Sequence, residues 1–190
     1  MAEGLFVIRA LLGLLLFAHG TQKLFGWFGG HGLEGTGGFF EQVGHRPGRA
    51  MAGIAGLSEA GGGTLLFLGL LTPLGAAMVI GVMIVAAVSV HGSNGLWATN
   101  GGYELPLTNA VVAAGLGFTG PGSFSVDHAL GLGLSGWGWG LLAILVGGSG
   151  ALIQLSRSNR AKAAADEAYP AEETATESAS APADADADAR

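Results

Sequence analysis

The feature that most constrains this chain is a series of long apolar runs almost free of charge, at about residues 5–24, 51–71, 74–90, 105–119 and 137–155. A hydrocarbon core about 30 Å thick asks a helix rising ~1.5 Å per residue for roughly 20 apolar residues. The runs therefore read as membrane-spanning helices. The first is broken by Arg9, His19 and Lys23, the second contains Glu59, the fourth is short, and the fifth lies in the uncharged stretch 129–156. Spans two and three are separated by little more than Leu71-Thr72-Pro73. Pro73 suits a helix start, so the two should form an antiparallel hairpin.

Charge supports this reading once its distribution is considered. The formal net charge of −6 is acidic, but residues 163–190 hold eight of the 14 carboxylates. Residues 1–162 keep six acids and seven bases, and only 12% of the whole chain is charged, against roughly 25% in an ordinary soluble domain. With no basic surface on a soluble domain, nucleic acid is excluded as a partner. The lipid bilayer is the implied surroundings. There is no cysteine, so the chain itself builds no thiol couple, iron–sulfur cluster or c-type haem. Residues 157–190, rich in Ala, Asp, Glu, Ser and Thr, lack the apolar content to fold and are expected to form a disordered acidic tail. A secretory leader is the competing reading of Ala10–Ala18, but the apolar run begins before Arg9 and further spans follow.

Orientation depends on the fifth span, 131–156. If it crosses, Lys23, Arg46 and Arg49 share a side with Arg157, Arg160 and Lys162. The positive-inside rule then places the tail in the cytoplasm. The Gly-rich aromatic segment between the first two spans, Gly26–Gly44, reads as interfacial or re-entrant backbone.

An ionisable side chain at membrane depth is costly unless paired or hydrated, so each marks a candidate site. The alternation of helix direction gathers several at one end of the bundle. His19, Gln22 and Lys23 end span one, Glu59 descends from the same side, and His91 and Glu104 arrive there too. Lys23 and Glu59 read either as a structural ion pair or as a site that binds or protonates a ligand. On the opposite face Arg9 and Asp127 are expected to pair. His19 and His91 on separate helices suit two axial positions of a b-type haem, but such histidines more often serve as hydrogen-bonding partners of acids, and haem is disfavoured. No metal site is expected; HExxH, Walker, Rossmann, GxSxG and EF-hand patterns are missing.

These residues in this order resemble the DoxX family. The likeness runs through Arg9, the segment His19-Gly20-Thr21-Gln22-Lys23-Leu24-Phe25-Gly26, Phe39-Phe40, Glu59 with Gly61-Gly62-Gly63, and Leu68-Gly69-Leu70-Leu71-Thr72-Pro73. It continues with His91, Gly102-Tyr103-Glu104 and Gly120-Pro121-Gly122-Ser123-Phe124-Ser125-Val126-Asp127. The resemblance implies an all-α integral membrane protein, a four-helix transmembrane bundle over residues 1–130, to which this chain adds a C-terminal span. It also implies a multi-pass protein of a prokaryotic plasma membrane. Some relatives resemble subunits of quinone-linked oxidoreductases that work with soluble or membrane protein partners. On that model His19, Gln22, Lys23 and His91 would bind a quinone, with Glu59 and Glu104 relaying protons. The alternative is a non-catalytic membrane scaffold or small-molecule carrier that docks soluble proteins.

Overall fold

The structure, a computed structural model, describes residues 2–168, and every regular element among them is helical. The order is α1 (Ala2–Phe25), α2 (Gly32–Gln42), α3 (Gly48–Leu68), α4 (Thr72–Ser89), α5 (Glu104–Thr119), the single turn α6 (Val126–Ala129) and α7 (Trp137–Ala168), with short 3-10 turns at Trp27–Gly29, Gly92–Asn94 and Ala98–Asn100. Four helices are long and apolar enough to cross a membrane: α1, α3, α4 and the Trp137–Ala164 part of α7. α5 has 16 residues, ~24 Å of helix, and falls short of the core thickness. It packs one face against α4 and α7 and leaves Leu105, Leu107 and Val111 exposed.

The α3–α4 hairpin forms where the proline signal places it. Gly69 takes a left-handed conformation (φ 63°), its N–H bonds Leu66 O at 3.1 Å, and the Leu70 N–H bonds Leu65 O at 2.9 Å. This pair of bonds closes the helix end with a residue that pays no Cβ penalty. α3 thus stops at Leu68, and Pro73 sits in the first turn of α4.

Two segments differ from the sequence expectation. Gly26–Gly44 contains an 11-residue helix, α2, packed on α1 and α3. α7 does not end near residue 156 but continues through Ala168. Residues 157–168 are helical where disorder was expected, because Ala161, Ala163, Ala164 and Ala165 are strong helix formers and because Ser158 is held, its hydroxyl donating to Gly44 O at 2.6 Å. The rest of the acidic tail lies outside the described residues.

α1 and α3 run antiparallel and touch backbone to backbone. A Cβ on Gly13 would lie 2.5 Å from Gly63 O, one on Gly63 2.6 Å from Gly13 O, and one on Gly20 2.4 Å from Ala60 N. Gly13 and Gly20, like Gly56 and Gly63, stand seven residues apart, two turns along one helix face. Close approach of this kind is what small residues allow in a membrane, where apolar burial drives no helix association. Leu16 of α1 continues into the buried core through Leu66 of α3, Val79 and Ile80 of α4, Leu116 of α5 and Ala143 of α7.

Candidate functional site

Glu59 lies on the glycine face of α3, midway between Gly56 and Gly63, and is 4% exposed. The close α1–α3 approach brings Lys23, one turn beyond His19, within reach, and its Nζ donates to Glu59 Oε2 at 2.5 Å. The pair sits at the edge of a cavity of about 760 Å³ whose lining includes His19, Gln22, Lys23, Glu59 and His91. The predicted polar residues of spans one to three therefore converge on one space. His31, Thr36, Phe39 and Phe40 from α2 and its approach cover it, and Leu16, Val82, Met83 and Asn109 supply walls from α1, α4 and α5.

The individual roles differ. Gln22 spends its amide on Phe28 O at 3.3 Å, which ties the chain after α1. His91 places Nδ1 2.7 Å from Gly101 O, so the other ring nitrogen remains available. Lys23 carries three donors, and one is committed to Glu59. Glu104 stands apart: its Oε2 accepts from Ala98 N at 2.9 Å and organises the α4–α5 connection, while its neighbours Leu105 and Pro106, not Glu104 itself, line the cavity. Among the described residues no group of three or more His, Asp or Glu is arranged to hold a metal ion.

At the far end Arg9 and Asp127 act on one joint through backbone groups, and no direct ion pair joins them. Arg9 is 1% exposed; its guanidinium donates to Pro121 O and Leu66 O at 3.1 Å each, and to Phe67 O and Phe124 O. It thereby adds donors to carbonyls at the C-terminal end of α3, where a cation is favoured. Asp127 works on the next helix, accepting from Leu71 N at 2.7 Å, Thr72 N at 3.0 Å and Thr72 Oγ1 at 2.7 Å. A carboxylate at the start of α4 suits the positive end of that helix. The two expected partners stand at one joint, each hydrogen-bonded to peptide groups there.

His45 stands at the α2–α3 corner, between Gly44 and the start of α3. It is 2% exposed, its Nδ1 lies 3.1 Å from Gln154 Nε2, and its Nε2 has no hydrogen-bond partner. Burial, and secondarily the positive charge of Lys162, hold its pKa below the ordinary histidine value. With Ser158 bonded to Gly44, the α2–α3 corner is locked onto α7. The sequence signal for this lock was Gln154, a polar residue inside an otherwise uncharged span.

Apolar helices long enough to span a bilayer, closed at one end by a buried Lys–Glu pair above a polar-edged cavity, define a multi-pass helical membrane protein with an intramembrane polar site. Residues 4–92 match the DoxX family model, and over that stretch the chain is similar to DoxX-family proteins. The match takes in Arg9, His19, Gln22, Lys23, Glu59 and His91 and ends before Glu104 and the Gly120–Asp127 segment. No curated protein and no solved structure matches the chain.

Proposed function

We propose that this DoxX-like protein is the membrane subunit of a quinone-linked oxidoreductase system, and that the cavity above Glu59 receives the quinone headgroup. The observation that carries this reading is the Lys23–Glu59 pair, its carboxylate buried, at the edge of a cavity that joins a polar rim with His19 and His91 to apolar walls of Leu16, Val82 and Met83. A quinone is an apolar ring with two carbonyl acceptors. The uncommitted Lys23 protons, with His19 at the same rim, supply donors for one carbonyl. Reduction to a quinol takes two electrons and two protons. The electrons come from a partner, since the chain has no cysteine for thiol or iron–sulfur chemistry, and Glu59 passes the protons. Glu104, outside the lining, serves as a relay only from the loop side.

The same reading places the loop end in the cytoplasm of a prokaryotic cell. His45–Gln154 and Ser158–Gly44 bring the end of α7 beside the α2–α3 corner, so Arg46, Arg49, Arg157, Arg160 and Lys162 share one end with Lys23. That is the asymmetry the positive-inside rule describes.

The test is to purify the protein in detergent, extract it with organic solvent and assay the extract for quinone. Wild type retains quinone, and Glu59→Gln and His19→Ala lose it while eluting as folded monodisperse protein. Ligand-free wild type, together with full electron-transfer activity of its complex carrying Glu59→Gln, overturns the proposal.

A further inference from the structure

A second cavity, about 380 Å³, opens between α3, α4 and α7. It stands independently of the quinone reading. Its walls are apolar: Leu74, Ala77 and Val85 along α4, Val146 and Gly150 along α7, and Ile54 on α3. Ile54, Leu74, Val146 and Ile153 are 48–57% exposed, so the cavity is a cleft open on the face that lipid surrounds. The lining runs from Leu74 to Val85 on α4 and from Val146 to Arg157 on α7. Eleven residues of helix rise ~16 Å, about the depth of one leaflet of a 30 Å core.

Apart from Ser58, midway along α3, the polar side chains of the cleft are gathered at the loop end. Gln154 and Arg157 line it there, with His45 at the wall it shares with the larger cavity. No carboxylate lines the cleft. Arg157 is exposed, and α7 carries Arg160 and Lys162 in its next turn. Helix α7 runs 20 residues from Trp137 to Arg157, ~30 Å, so an aromatic at one interface is matched by this arginine at the other. An apolar slot one leaflet deep, with an exposed arginine and no carboxylate in its lining at headgroup level, has the shape and charge of a lipid site.

We propose that the α3–α4–α7 cleft binds one anionic phospholipid, its acyl chain lying along Leu74–Val85 and its phosphate held by Arg157. Gly150 permits a direct test, because it lines the cleft and a Cβ added there meets nothing within 4 Å, which leaves room to begin a larger side chain into the slot.

The full-length protein in detergent is titrated with dioleoylphosphatidylglycerol or dioleoylphosphatidylcholine, and bound lipid is counted by native mass spectrometry. Wild type binds one phosphatidylglycerol in preference to phosphatidylcholine. Arg157→Gln lowers phosphatidylglycerol affinity roughly fivefold, the worth of one cation near a headgroup, and Arg157→Lys restores the preference. Gly150→Leu weakens both lipids roughly tenfold, as loss of about two buried methylenes should. Equal affinity for the two lipids in wild type, or a preference untouched by Arg157→Gln, overturns the headgroup assignment. Unchanged binding of both lipids to Gly150→Leu overturns the placement of the chain.

Discussion

Lys23 and Glu59 are each tolerable at their depth because the other is there. Removing one partner of a buried pair leaves an uncompensated charge at a cost of about 3–5 kcal/mol, whereas replacing both with apolar groups is often neutral. Lys23 is partly open, its side chain 24% exposed against 5% for Glu59, so the expected loss for Lys23→Met is nearer ~2 kcal/mol. Thermal melting in detergent should show Lys23→Met less stable than wild type, with Lys23→Met/Glu59→Leu recovering most of the loss. A double variant as unstable as the single one would contradict the pair's role. Asp127→Ala strips three hydrogen bonds from the start of α4 and should cost ~2 kcal/mol, read in the same melts; Asp127→Asn, which keeps one acceptor, should cost less. At this scale the sequence was half legible. Low-dielectric surroundings announce which charges need partners, and Glu59 and Lys23 were found that way. They do not announce that peptide carbonyls at a helix end satisfy Arg9, because backbone acceptors leave no residue-specific trace.

Helix contacts carry a similar lesson. Apolar length located α1, α3 and α4 to within a few residues, since bilayer thickness fixes length whatever the sequence detail, but it ended α7 early and counted the short α5 as a span. The α1–α3 seam was missed because its glycines recur every seven residues instead of every four; Gly13 and Gly20 meet Gly63 and Gly56 across it. Gly20→Leu should separate the two helices, lower the melting temperature and break the Lys23–Glu59 contact, whereas Gly38→Leu, at a position with open space around it, should leave both unchanged. The α2–α3 corner should respond to pH. Its imidazole has a depressed pKa in the fold, so the unfolded state binds more protons as pH drops below the ordinary value of about 6.5. The corner is then most stable above that pH and weakens below it, the loss levelling off beneath the folded pKa. Amide exchange over Gly44–Met51, corrected for intrinsic rates, should be faster at pH 5.5 than at pH 7.5. His45→Gln should abolish that difference.

For the whole molecule, the ends of the bundle are chemically distinct, and the chain offers a clean probe of them because it has no cysteine. Single cysteines at Gly38 and Asn159 should label from the same side of intact membranes and Gly133→Cys from the other, using an impermeant maleimide. Labelling of Gly38 and Asn159 from opposite sides would show that α7 does not return to the loop end. The glycine seam also decides how the molecule can move. With α1 and α3 in backbone contact there is no side-chain layer between them to slide or repack, and that flank behaves as a stiff spine. The α1–α2 and α4–α5 connections turn on Gly26, Gly32, Gly95 and Gly101, all with positive φ, where backbone rotation costs little. Any breathing of the chamber is therefore expected to be one-sided, like a book opening away from its binding, beneath α2 or beside the α4–α5 loop and away from the glycine seam.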